Sequence, residues 1–202
     1  PALSRNNLSA ANVKIESSGS NITTVDHGLF SVTNSKKVHF SKGNLRYTSS
    51  AWSFFENQYD YYDAYNADSW DKFGWSTSST GDYAYGKSTS TDYSNYSGNF
   101  EDWSGTVTGN WSTLSSEQWQ YLFGSSSDRT NKYASATVNE KHGIVLLPDD
   151  WTLPSGLNYT AGQGNGWNTN TYTAEQWAVM EAAGAVFLPA AGLRYGSGVV
   201  DA

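Results

Sequence analysis

The sequence predicts an α+β fold: a twisted, mainly antiparallel sheet with two short capped helices and long loops. Three observations point to it. A helix-start phrase occurs twice, as Leu114-Ser115-Ser116-Glu117-Gln118-Trp119 and Tyr172-Thr173-Ala174-Glu175-Gln176-Trp177. Two apolar runs, Gly143–Leu147 before Pro148 and Ala185–Pro189, have the length of buried strands. Residues 51 to about 111 are rich in aromatics, Ser, Asp and Gly and keep no helical period.

In each copy of the phrase, Ser or Thr stands at the N-cap and Gln three residues later, which is the pattern of a capping box. The leading Leu or Tyr is placed to staple onto the Trp, and Glu sits where the helix dipole favours an anion. Helices are therefore expected over about 116–123, stopped by Gly124, and about 174–183, stopped by Gly184. Trp119 and Trp177 should anchor them to the core, with both helices closing one wall of the sheet.

Before the first helix, Leu29–Val32, Lys37–Phe40 and Leu45–Tyr47 read as strands, and Ala51–Phe55 as a further short one. Val13–Glu16 alternates and reads as an edge strand or part of a tail, so residues 1–25 are set apart from a domain spanning 26–202. Trp52, Trp75 and Trp111 are expected in the core, and Tyr83, Tyr85, Tyr93 and Tyr96 in part at the surface.

Composition narrows the function. The chain is 38% hydrophobic and 15% aromatic, with nine Trp and fourteen Tyr among many Ser, Thr, Asn and Gly residues. That supports a core and resembles the make-up of binding loops. With a net charge of −7 and 12 Lys plus Arg, none clustered, nucleic acid is not an expected partner. No apolar run matches a membrane span, so no membrane insertion is expected. The absence of cysteine removes disulfides, zinc–thiolate sites and thiol nucleophiles.

No cofactor, metal or catalytic residue is expected. His27, His39 and His142 lack ligand spacing. Asp60, Asp63, Asn66, Asp68 and Asp71 gather oxygens suited to calcium but miss the EF-hand pattern. Asp149-Asp150-Trp151 reads as a turn after a buried strand. Asp92, Glu101 and Asp102 lie in Ser/Gly-rich sequence with nothing to fix a glycosidase separation. The best candidate contact loop is Trp167, Asn168, Asn170 and Tyr172, beside the Gly-rich run 162–166.

Several segments carry a family likeness. Lys37–Leu45, Glu56–Asp60 and Phe73–Trp75, followed by Trp111–Phe123, Leu146–Trp151 and Phe187–Gly192, resemble in order and spacing a group of surface proteins from gut anaerobes. The resemblance covers about residues 28–196. It implies a C-type lectin-like fold of the formylglycine-generating-enzyme type, some members being variable proteins of diversity-generating retroelements. The related enzymes rely on cysteines or an iron-binding histidine cluster, and neither occurs here. A Tyr-Tyr-Trp-Ser-Ser segment and the diversified stretch, which the family places after the Gly-rich turn, do not occur before Ala202. The domain is therefore expected to be C-terminally incomplete. Arg194 and Tyr195, which precede that point, join the candidate ligand-binding residues. The implied role is non-catalytic ligand binding or adhesion at a cell surface or outside the cell, toward a protein or glycan ligand. A phage receptor-binding protein on a virion and a pilus or surface-layer subunit are the alternatives. The missing strands imply an open sheet edge and self-association through it.

Overall fold

A computed structural model describes residues 12–14, 28–48, 51–64, 66, 68–72, 111–162, 166–195 and 197–200. Trp75, the tyrosines at 83, 85, 93 and 96, Asp92, Glu101, Asp102 and His27 lie outside the described residues. The elements run β1 (Asn12–Lys14), β2 (Phe30–Ser31), β3 (Lys37–Phe40), β4 (Leu45–Thr48), β5 (Ala51–Phe54), β6 (Ser69–Trp70) and β7 (Trp111–Thr113). Then come α1 (Ser116–Leu122), β8 (Tyr133–Val138), β9 (Lys141–Leu146), β10 (Thr171–Tyr172), α2 (Ala174–Ala182), β11 (Val186–Pro189), β12 (Leu193–Tyr195) and β13 (Gly198–Val200). Among the described residues the fold is mixed α+β, mostly sheet with two short helices.

Among the described residues the strands form four sheets rather than the expected one: β2-β3-β1-β7, β5-β4-β6, β12-β13 and the central β10-β8-β9-β11. Among the described residues every strand pairing is antiparallel except that of β10 with β8, beside which Ala134 and Gly162 form an isolated parallel bridge. β1 pairs with β3 on one side and β7 on the other, so the segment read as a tail or edge strand is interior.

Alternation along the central strands divides the core in two. Ile144, Leu146, Val186 and Leu188 face a cluster with Phe30, Val38, Phe40, Leu114, Trp119 and Leu122. Val145, Leu147 and Phe187 face the other way, toward Tyr172, Trp177 and Met180. The helices thus cover opposite faces of the central sheet, correcting the expectation that both close one wall. The reason is β9 and β11 themselves: Ile144, Val145 and Leu146, and Val186, Phe187 and Leu188, are apolar at consecutive positions and so require a cover on each side.

Both capping boxes form as the repeated phrase requires. Gln118 N donates to Ser115 Oγ (3.3 Å) while Ser115 N donates to Gln118 Oε1 (2.9 Å). Thr173 and Gln176 repeat the exchange at 3.2 and 2.9 Å. The Tyr172 and Trp177 rings lie 6.0 Å apart, forming the staple. α2 ends in a Schellman motif: Gly184 N donates to Glu181 O and Ala185 N to Met180 O. Gly184 has a φ of +96°, and a Cβ there would come within 2.8 Å of Gly28 N, so only glycine fits.

One ionic centre ties the first cluster to the turn after β9. Arg129, on the loop after α1, is 0% exposed, with its guanidinium 5.6 Å from the Phe30 ring centroid. Arg129 Nη1 donates to Leu147 O (3.0 Å) and Asp149 Oδ1 (3.2 Å), and Nε donates to Leu122 O (3.4 Å). Asp149 also accepts from Ser31 N (3.1 Å), Ser31 Oγ (2.7 Å) and the Lys37 ammonium (2.9 Å). Asp149 therefore does more than turn the chain: its carboxylate joins β2, β3 and Arg129.

At the edge formed by β11, the outward backbone donors are all accounted for. Phe187 N donates to Gln58 Oε1 (2.6 Å), Ala185 N donates to Met180 O, and Pro189 has no N–H. Gln58, buried against β11, supplies the acceptor that this edge needs.

Removing the Asp149 carboxylate leaves Arg129 charged and buried, so Asp149→Ala should cost about 3–5 kcal/mol in urea unfolding, and less in an Arg129→Met background. Burial pushes the Asp149 carboxyl up, but the bonds from Lys37 and Ser31 outweigh it and the net shift is downward. Asp149 should therefore stabilise the fold fully above the ordinary value of 3.8 and lose that contribution as pH falls through the lower folded value. An acid titration of urea midpoints, wild type against Asp149→Ala, reads the difference. Separately, Thr173→Ala should cost about 1 kcal/mol by loss of the cap, measured by the same unfolding.

Candidate functional site

The described parts of the segment between β9 and β10 are tied to β8 and to each other, and one side chain makes several of those ties. Asn170, 3% exposed, accepts from Thr160 N through Oδ1 (2.8 Å) and donates through Nδ2 to Ser135 O and Thr160 O (both 2.9 Å). Its own carbonyl accepts from Thr137 N (2.8 Å). A buried amide using both ends in this way locks the loop's return to β8. Tyr172 is equally buried; its hydroxyl donates to Asn158 O (2.6 Å), and burial pushes the phenol up to about 12.

Burial takes Asn170 and Tyr172 out of the contact surface and gives them a fastening role, which corrects the assignment made from sequence. Their loop position and residue type match a contact residue, but their partners lie on β8 and at residues 158–160.

Trp167 and Asn168 remain at the tip. Trp167 O accepts from Thr137 Oγ (3.0 Å), and Asn168 O accepts from Thr171 Oγ (3.2 Å). Gly166, at φ +70°, makes the bend that presents them. The Trp167 ring lies nearly parallel to that of His142, with centroids 5.2 Å apart and planes 4° from coincidence. Trp167 is nonetheless 40% exposed, and Asn168 is exposed. The arrangement is an aromatic ring supported from behind and held at its backbone.

The sequence marks His142 only as a histidine without metal-ligand spacing, whereas in the fold it backs Trp167. The register that pairs it with Thr137 across β8 and β9 puts both on the face where Trp167 arrives. Reading the Val138-Asn139-Glu140-Lys141 hairpin correctly is the signal that finds it. Asn139 and Glu140 have φ values of 45° and 66°, those of a two-residue turn with both residues left-handed.

Arg194 lies elsewhere, half-buried on β12, where it lines a shallow hollow with Tyr62, Trp70, Asp71, Lys72 and Val199. Asp71 is buried there. It accepts from Tyr62 N (2.7 Å) and the Lys72 ammonium (3.2 Å), and burial raises its carboxyl against the pull of Lys72. Lys72 and Lys141 approach the Tyr61 ring to 5.5 and 4.8 Å. Tyr195 pairs with Gly198 in the β12–β13 hairpin. The residues named from sequence thus divide: Trp167 and Asn168 at a loop tip, Asn170 and Tyr172 in its fastening, Arg194 at a separate hollow, and Tyr195 in the β12–β13 pairing.

The acidic run 60–71 does not converge. Asn66 Oδ1 accepts from Asp68 N, Asp60 Oδ2 accepts from Asn57 Nδ2, and Asp71 is engaged as above. Among the described residues no group of three or more His, Cys, Asp or Glu is arranged to hold a metal ion. Among them, too, no helix is long and apolar enough to cross a membrane. Comparison with protein-family models, curated proteins and solved structures finds no significant match.

Asn170→Ala should destabilise the fold by about 2–3 kcal/mol, since three partners lose their bonds in a buried place. Asn168→Ala should stay within about 0.5 kcal/mol of wild type. Thermal or urea unfolding of the two variants side by side tests the division.

Proposed function

We propose that this chain is a non-catalytic recognition domain of C-type lectin-like fold, displayed at a cell surface. In this reading it is the scaffold of a retroelement-diversified receptor or adhesin, and it binds partners through the tip carrying Trp167 and Asn168. The observation that carries the reading is the exposed Trp167 ring, backed by His142 and held by Thr137. A large ring with few rotamers to lose contributes contact area at small ordering cost, which is the property binding loops select. The two helix-covered faces of the central sheet support it by giving the loop a stiff base at Asn170. The surface setting and the retroelement link rest on the family resemblance of the sequence.

Beads coated with the wild-type chain, screened against a panel of bacterial and host cell surfaces, should adhere to at least one. Trp167→Ala should lower that adhesion about ten- to a hundredfold, or about 1.4–2.8 kcal/mol, with the thermal midpoint unmoved. Equal adhesion by the variant sinks the contact assignment.

A further inference from the structure

We infer that the ligand of the Trp167 tip is a neutral saccharide, bound without a metal ion by stacking the C–H face of a pyranose ring on the indole. The inference deepens the recognition reading above and rests on it. An aromatic face is electron-rich and attracts the polarised C–H groups on the flat side of a sugar ring. One face of Trp167 is occupied by the parallel imidazole of His142, and the residue is still 40% exposed, so ring surface remains for a ligand. Because backbone and ring are both held, stacking costs little further side-chain freedom.

The surroundings separate a sugar from a protein partner. The described residues next to Trp167 in this loop, Asn168, Thr169 and Thr171, are exposed and polar. Among the described residues, the other exposed large apolar side chains, Leu29, Leu153 and Val179, belong to the lead into β2, the 151–157 stretch earlier in the β9–β10 segment, and α2, not to residues 166–171. A protein hot spot sits in a desolvated patch sheltered by packed neighbours. Trp167 instead offers one apolar plane with an amide and hydroxyls around it. That matches a sugar, which has one apolar face and a rim of hydroxyls able to meet the Asn168 amide, both donor and acceptor. The chain's net charge of −7 disfavours acidic sugars, leaving neutral ones.

The test uses the whole chain on an array of neutral oligosaccharides (β-linked gluco-, galacto-, xylo- and N-acetylglucosamine series), with and without EDTA, followed by titration of the best binder. Expected is binding unchanged by EDTA, lowered at least tenfold by Trp167→Ala, and largely kept by Trp167→Phe. His142→Ala should weaken it less than Trp167→Ala does. Loss of binding in EDTA, or equal binding by Trp167→Ala, overturns the inference. In parallel, unglycosylated peptides are selected from a random library on the wild-type chain and retested on Trp167→Ala. Peptides that depend on Trp167, with no sugar bound, overturn the saccharide while leaving the recognition site standing. If neither ligand type depends on Trp167, both readings fall.

Discussion

A guanidinium with no exposure to water is the constraint around which much of this structure is arranged. Arg129 needs acceptors in fixed directions, and it finds them at Leu122 O, Leu147 O and the Asp149 carboxylate. Those three belong to the end of α1, the end of β9 and the turn beyond Pro148. Asp149 in turn takes hydrogen bonds from Ser31 and an ion pair from Lys37. Elements far apart in sequence are thereby held to one geometry, at distances a simple apolar contact would not specify. Apolar surface supplies the driving force for collapse, and this network selects which collapsed arrangement is kept.

From that fixed end, the central sheet carries order across the molecule. Its strands present apolar side chains to both faces, so α1 with Trp119 and α2 with Trp177 are each required and neither can substitute for the other. A sheet covered on both sides has little freedom to bend. The far end of β8 and β9, where Ser135, Thr137 and His142 stand, becomes a rigid mount. The Trp167 loop takes its shape from that mount.

Local chemistry was legible in the sequence and non-local pairing was not. Both helices could be read to within a residue because a capping box is contained in four consecutive positions. The apolar runs marked β9 and β11 for the same reason. β8 went unread: Tyr133-Ala134-Ser135-Ala136-Thr137-Val138 alternates small and polar residues, and its turn through Asn139-Glu140 lacks the glycine that announces such hairpins. Without β8 the sequence places both helices on one wall and Asn170 among contact residues, because the Ser135 carbonyl that holds Asn170 belongs to that strand. Trp167 and Asn168 were read as surface residues from their Gly-rich setting, and backbone bends do confer that placement. Arg129 gave no signal, since a lone arginine in a Ser-rich loop reads as solvated.

The treatment of β11 has a consequence for behaviour at high concentration. Its outward donors are consumed by Gln58 and by the turn after α2, and the remaining position is proline. A neighbouring molecule arriving there with an extended segment finds acceptors but no donors, so a ladder cannot start. That border of the central sheet is thereby protected against extension by a second copy of the chain.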